Sequence, residues 1–143
     1  MEHLETVNGI VVKLFNDIMN IEEKAVITEE FSDITNNDMH IIEAIGNGEP
    51  KTMSTVAKAL EVTLGTLTIA INSLVKKGYV KRERGEKDKR VVFISLTPKG
   101  KKAFMHHQKF HQDMTQALLG ELKEEEVEVL MKALKNLRDF LAL

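Results

Sequence analysis

Residues 76–102 read KKGYVKRERGEKDKRVVFISLTPKGKK and hold eleven of the chain's twenty Lys/Arg residues but three of its twenty-two acids. This segment is net +8, and the remainder of the chain is net −10. An acidic protein with one basic segment is built to meet a polyanion in one place rather than to adhere to polyanions generally. The plain alternative is a solvated charged hairpin. Five basic residues of the segment, Arg82, Arg84, Lys87, Lys89 and Arg90, can supply phosphate and minor-groove contacts, with Asp88 among them. Just upstream, Thr63, Gly65, Thr66, Thr68, Asn72, Ser73 and Lys76 are small or polar at helical spacing. Threonine methyls can touch thymine methyls, and asparagine can pair bidentately with adenine. That set predicts A·T-rich half-sites read weakly, with most affinity coming from the basic hairpin. Gly65 either lets a backbone approach DNA or is merely tolerated in a first helical turn.

The histidines carry a second chemistry. His107 and His111 are four apart on one helix face, a spacing that can hold a metal, and His40 could join them. Glu30, Asp33 or Glu43 could complete such a set, since the chain has no cysteine. The simpler reading is that these histidines pack and hydrogen-bond between helices, and it outweighs a regulatory zinc site. No Gly-rich phosphate loop, nucleophile elbow or paired-carboxylate cleft pattern is present, so an enzyme is not expected and no cofactor is required. The absence of cysteine excludes disulfides and thiolate metal sites. The polar, acidic start MEHLETVNG is not a signal peptide, and no apolar run is long enough to span a bilayer. A cytoplasmic location without membrane association is the expectation.

The elements that must position these groups follow from periodicity. Leu4, Val7, Val11, Leu14, Phe15, Ile18 and Ile21 make one apolar face of a long first helix, ended by the polar stretch around residues 28–33. Thr35 and Asp38 form an imperfect capping box for a short second helix, which Gly46, Gly48 and Pro50 stop. Thr52 caps a third helix running to Leu60, and Glu61-Val62 turn the chain. Thr63 caps a fourth helix that ends at Lys77-Gly78. Tyr79–Arg84 and Arg90–Leu96 read as two strands of a hairpin with a basic tip. Thr97-Pro98 opens a fifth helix, broken at Gly120, and a final helix starts near Glu124 with the stripe Val127, Leu130, Met131, Leu134, Leu137 and Leu141.

The expected fold class is mainly α with a two-stranded β-hairpin wing: a winged helix-turn-helix with N- and C-terminal dimerisation helices. Its parts are an N-terminal dimerisation helix at 1–34, the DNA-binding domain at 35–97, and C-terminal dimerisation helices at 98–143. The terminal helices are surplus to the small winged core, so a second copy of the chain is the economical cover for their stripes. Met19, Met39 and Met114 are most simply core filler; a second reading makes them the lining of a plastic pocket for an alkyl chain.

The run GYVKRERGEKDKRVVFISLTPKG resembles the wing signature of the MarR family of winged-helix transcriptional regulators, whose wing Asp and Arg fall at Asp88 and Arg90. Element order and length extend the resemblance over essentially the whole chain. It implies an obligate homodimer, a palindromic double-stranded operator and ligand-tuned repression. The segments VTLGTLTIAINSLVKKGYVKR, DMHIIEAIG and FHQDM are similar more narrowly to the FabT-type fatty-acid-synthesis repressors of Gram-positive cocci. The family's usual Arg or Lys near Ile69 is absent here, as it is in that type. That likeness implies a long-chain acyl group on acyl carrier protein as co-repressor, with Phe15, Ile18, Met19, Met39, Ile42 and Phe104 as the pocket. The MarR family also includes zinc-responsive members, which keeps the histidine reading open. The rival from another class is a protein-interaction module whose basic hairpin grips an acidic partner.

Overall fold

The computed structural model describes residues 2–26, 28 and 30–142, apart from the side chains at 23, 25 and 26; Glu29 of the expected polar stretch lies outside them. The elements are α1 (Glu2–Val26), α2 (Asn36–Ile45), β1 (Lys51–Thr52), α3 (Met53–Ala59), α4 (Leu64–Lys77), β2 (Val80–Arg84), β3 (Val92–Leu96), α5 (Pro98–Leu119) and α6 (Glu124–Phe140). They fall into two compact units, 1–108 and 109–143, so the division lies inside α5.

The local signals act where they were expected. Asp38 N–H donates to Thr35 Oγ1 at 3.0 Å and Thr35 N–H donates to Asp38 Oδ2 at 3.1 Å, so the capping box closes with aspartate in place of glutamate. Thr52 and Thr63 accept from the backbone N–H groups of Thr55 and Thr66. Thr97 accepts from Gly100 N–H at 3.1 Å to start α5. α4 ends at Gly78, whose φ of +90° is left-handed and cheap only for glycine.

Two features depart from the expectation. α1 continues to Val26, a full turn beyond its apolar stripe. The wing is part of a three-stranded antiparallel sheet, not a two-stranded hairpin alone. Its order is β1-β3-β2, with Lys51 opposite Ile94 and Val80 opposite Leu96. A two-residue strand has no periodicity of its own; β1 exists because β3 offers its free edge there.

The core lies entirely in the first unit. Ile34, Met39, Ile42, Ile45, Val56, Leu67, Ile71, Leu74, Tyr79, Val80 and Ile94 are its largest fully buried side chains, joined by Phe31 and the small Ala103. These residues come from the 28–35 turn, α2, α3, α4, the sheet and the start of α5. The buried stripe Leu67, Ile71, Leu74 of α4 fixes which face of that helix remains outside. No single described helix is long and apolar enough to cross a membrane.

Candidate nucleic-acid interface

Because Leu67, Ile71 and Leu74 face inward, Gly65, Thr66, Ile69, Asn72, Ser73 and Lys76 face outward along α4. Ile69 is 74% exposed, a large apolar side chain at the centre of an otherwise polar face. At Gly65 a Cβ would meet nothing within 4 Å, so no packing inside the protein requires glycine there. Thr63 caps the helix and its hydroxyl donates to Thr66 Oγ1 at 2.9 Å. Thr68 is half-buried and spends its hydroxyl proton on the Leu64 carbonyl at 2.8 Å. Thr68 is therefore less available for base contact than its spacing implied. Asn72 is also engaged: Arg82 Nη1, on β2, donates to its Oδ1.

The wing is built around a close turn. Gly85 N–H donates to the Val91 carbonyl at 2.8 Å, and a Cβ on Gly85 would stand 2.5 Å from the Asp88 carbonyl oxygen. At its tip Arg90 donates from Nε to Asp88 Oδ1 and from Nη2 to Asp88 Oδ2, both at 3.1 Å. The backbone N–H of Arg90 donates to the same Oδ1 at 3.0 Å. The Arg90 side chain is 92% exposed, so this fork does not bury it; it aims it. The same hydrogen bonds hold the Asp88 carboxyl below its ordinary range. Lys87 and Lys89 flank the pair, exposed. Between α4 and the wing lies an open cleft of about 700 Å³ whose walls include Thr52, Leu64, Thr68, Arg82, Arg84 and Arg90. Three guanidinium groups around one cleft can take phosphate oxygens.

A joint behind this surface fixes the end of α4. The buried Tyr79 donates from its hydroxyl to Asp33 Oδ1 at 2.6 Å. Lys77 pairs with Asp38 at 2.8 Å, and Lys99 donates to the Lys77 carbonyl at 3.2 Å with its ammonium 4.4 Å from the Tyr79 ring centre. The Thr97 hydroxyl donates to the Gly78 carbonyl. Burial and the bond to Asp33 push the Tyr79 phenol well above its usual range; the same bond, with Lys99 and Lys77 nearby, lowers Asp33. Spacing gave no hint of this network, because its partners are far apart in sequence.

The remaining candidates separate. His107 is buried, and its Nε2 lies 2.7 Å from Glu43 Oε1 and 3.3 Å from Glu22 Oε1. Glu43 was a candidate partner for the histidines; Glu22, on α1, was not. His111 lies one turn further along α5. His40 instead lines a groove of about 270 Å³ between α2 and α4, with Asn37, Leu60, Val62 and Thr66. Asp33 is taken by Tyr79. Of the six pocket candidates, Met39 and Ile42 belong to the buried core with Phe104 against it, while Phe15 and Met19 are exposed on α1 and Ile18 is half-exposed. The structure does not gather these six into one wall.

The family model that matches is described as transcriptional regulator SarA/Rot, over residues 23–107. Among solved structures, Streptococcus pneumoniae FabT in complex with DNA is 40% identical, covers 97% of both chains and superposes with a TM-score of 0.84. The multiple antibiotic resistance protein MarR of Salmonella typhimurium is 38% identical over 81 residues, 56% of each chain. The HTH-type regulator YhjH of Bacillus subtilis is 28% identical over 89 residues, so the chain spans about half the length of that relative.

Proposed function

Because this chain belongs to the MarR family of winged-helix DNA-binding transcriptional regulators, we propose that it works as a homodimeric repressor of fatty-acid-biosynthesis genes. Family and fold are those of transcriptional regulators, not of enzymes. The observation that carries the fatty-acid reading is the 40% identity to FabT across 97% of both chains. The operator would be a palindrome of double-stranded DNA, since a two-fold dimer meets two half-sites one helical turn, about 34 Å, apart. α4 would enter the major groove and the Asp88–Arg90 wing the flanking backbone or minor groove. Uncovered apolar stripes on α1 and α6 support a second copy as the cover.

The effector in this reading is a long acyl chain presented on acyl carrier protein, and it tightens operator binding. Phe15 and Met19, exposed on α1, are the pocket candidates open to such a chain. A ligand can shift the separation of the two recognition helices only by its differential affinity for the two states. A coupling of about 1–3 kcal/mol would change operator affinity roughly 5- to 150-fold. The test is operator titration with and without long-chain acyl carrier protein, at several salt concentrations. Tighter binding with the acyl form is expected. Equal binding sinks the co-repressor, and duplex binding with no salt dependence would favour a protein-interaction module.

One observation favours a second reading, a metal-responsive regulator. The Glu22 and Glu43 carboxylates converge on Nε2 of buried His107, at 3.3 and 2.7 Å, and together they make a nitrogen and oxygen donor set of the kind zinc accepts. Repeating the titration with zinc and with chelator decides it: a zinc response abolished in His107→Ala would replace the acyl reading.

A further inference from the structure

The outward face of α4 has a recess along each of its two flanks. At about 100° per residue, Leu64 and Thr68 fall on one side of that face and Thr66 and Ala70 on the other, with Ile69 between them. Leu64 and Thr68 line the wing cleft together with Arg82, Arg84 and Arg90. Thr66 and Ala70 line the groove against α2, which Asn37 and His40 also line, both exposed. The polar members of this second recess are donors. Thr66 Oγ1 accepts the hydroxyl proton of Thr63 and keeps its own to give. Asn37 carries an NH₂ group, and an imidazole has at least one N–H. Among the described residues neither the Asn37 nor the His40 side chain has a hydrogen-bond partner. Leu60 and Val62 are among the apolar walls, and no described acid lines the groove.

An α-helix with its side chains is about 10–12 Å across and the major groove is about 12 Å wide, so a helix seated there runs between two sugar–phosphate strands. We infer that the groove between α2 and α4 holds one of these strands, with Asn37, His40 and Thr66 donating to its phosphate oxygens, while the wing cleft holds the other. A phosphate only accepts hydrogen bonds, which suits a rim of donors without a carboxylate, and the carbon face of a deoxyribose suits Leu60 and Val62. Charge alone had placed the phosphate contacts on the basic wing. The second anchor carries no Lys or Arg, so no charge run marks it. It makes Asn37 and His40 DNA-contacting residues, and it gives Thr66 a phosphate rather than a base edge.

The inference rests on α4 entering the major groove, and the test separates the two. An operator selected by the full chain from randomised duplexes is rebuilt with a neutral methylphosphonate at one phosphate at a time. Two groups of phosphates should matter, on opposite sides of the major groove. Sensitivity at one group should be lost in Arg90→Ala, and at the other in Asn37→Ala and His40→Ala. Each of these last two should lower affinity for every duplex roughly 2- to 12-fold, the range of one hydrogen bond, without moving any preferred base. His40→Lys should tighten every duplex and steepen log affinity against log salt by about one. Unchanged affinity in both alanine variants, a methylphosphonate pattern that neither alters, or sensitivity confined to the wing's phosphates overturns the inference. Weaker duplex binding in Arg90→Ala would still uphold the regulator reading in those cases, whereas a wild type that binds no duplex would overturn both.

Discussion

The apolar stripe of α4 and the apolar stripes of α1 and α6 are written in the same periodicity, yet they meet different fates. In α4, Leu67, Ile71 and Leu74 are almost wholly buried. On α1, Leu4, Val7, Leu14 and Phe15 are exposed, and on α6 Met131 is 50%, Leu134 49% and Leu137 44% exposed. Periodicity says that a face wants cover; it does not say whether the cover lies in the same chain. The winged part closes its own core, and the two terminal helices leave theirs exposed.

The largest expected effect breaks the covered side of that comparison. Leu74→Ala should cost about 2–5 kcal/mol, the usual range for emptying a fully packed leucine site. Leu137→Glu, on the exposed stripe of α6, should instead shift the chain from dimer to monomer. Light scattering at micromolar concentration checks the second, and denaturant unfolding the first. A wild-type monomer under those conditions would remove the reason for contrasting the two faces.

Next comes the joint behind α4. Tyr79→Phe removes the hydroxyl that donates to the exposed Asp33 carboxylate, which water can then solvate, and should cost about 0.5–1.5 kcal/mol at neutral pH. The pH dependence has a definite sign. Tyr79 is raised in the folded state, so its contribution is complete below the unfolded value near 10 and declines as pH rises above it. Asp33 is lowered, so its contribution holds above about 4 and declines as pH falls through the acid range. Stability curves against pH should therefore show an alkaline loss in the wild type that Tyr79→Phe lacks.

A smaller effect belongs to the wing. Arg90→Ala should weaken binding to all duplexes alike and reduce the slope of log affinity against log salt by about one. Asp88→Ala should reproduce part of this, because Asp88 aims the Arg90 fork. Fluorescence anisotropy over a salt series measures both, and an unchanged slope in Arg90→Ala would remove the wing as an anchor.

The smallest effect decides what Gly65 is for. Open space around it means Gly65→Ala should raise stability by up to about 1 kcal/mol. If DNA backbone comes close there, the same variant loses operator affinity; if affinity is unchanged, the glycine was only tolerated.

The sequence by itself determined the elements whose causes are local. Thr35, Thr52, Thr63 and Thr97 cap helices through backbone groups three residues away, Gly78 ends α4 because only its φ is left-handed there, and Gly85 lets the wing turn close on Asp88. The basic wing was legible as a charge run, and the family resemblance marked Asp88 and Arg90 in it, though their hydrogen-bonded fork is seen only in the folded chain. Tertiary structure alone decided the rest. β1 forms by pairing with a strand some forty residues later, and Tyr79 meets Asp33, His107 meets Glu22 and Glu43, and Arg82 meets Asn72 across gaps that no helical or strand period spans. Residue type fixes how many donors and acceptors a side chain carries. Which of them are already spent, and so what remains for DNA or a ligand, depends on neighbours that only the folded chain brings within hydrogen-bond distance.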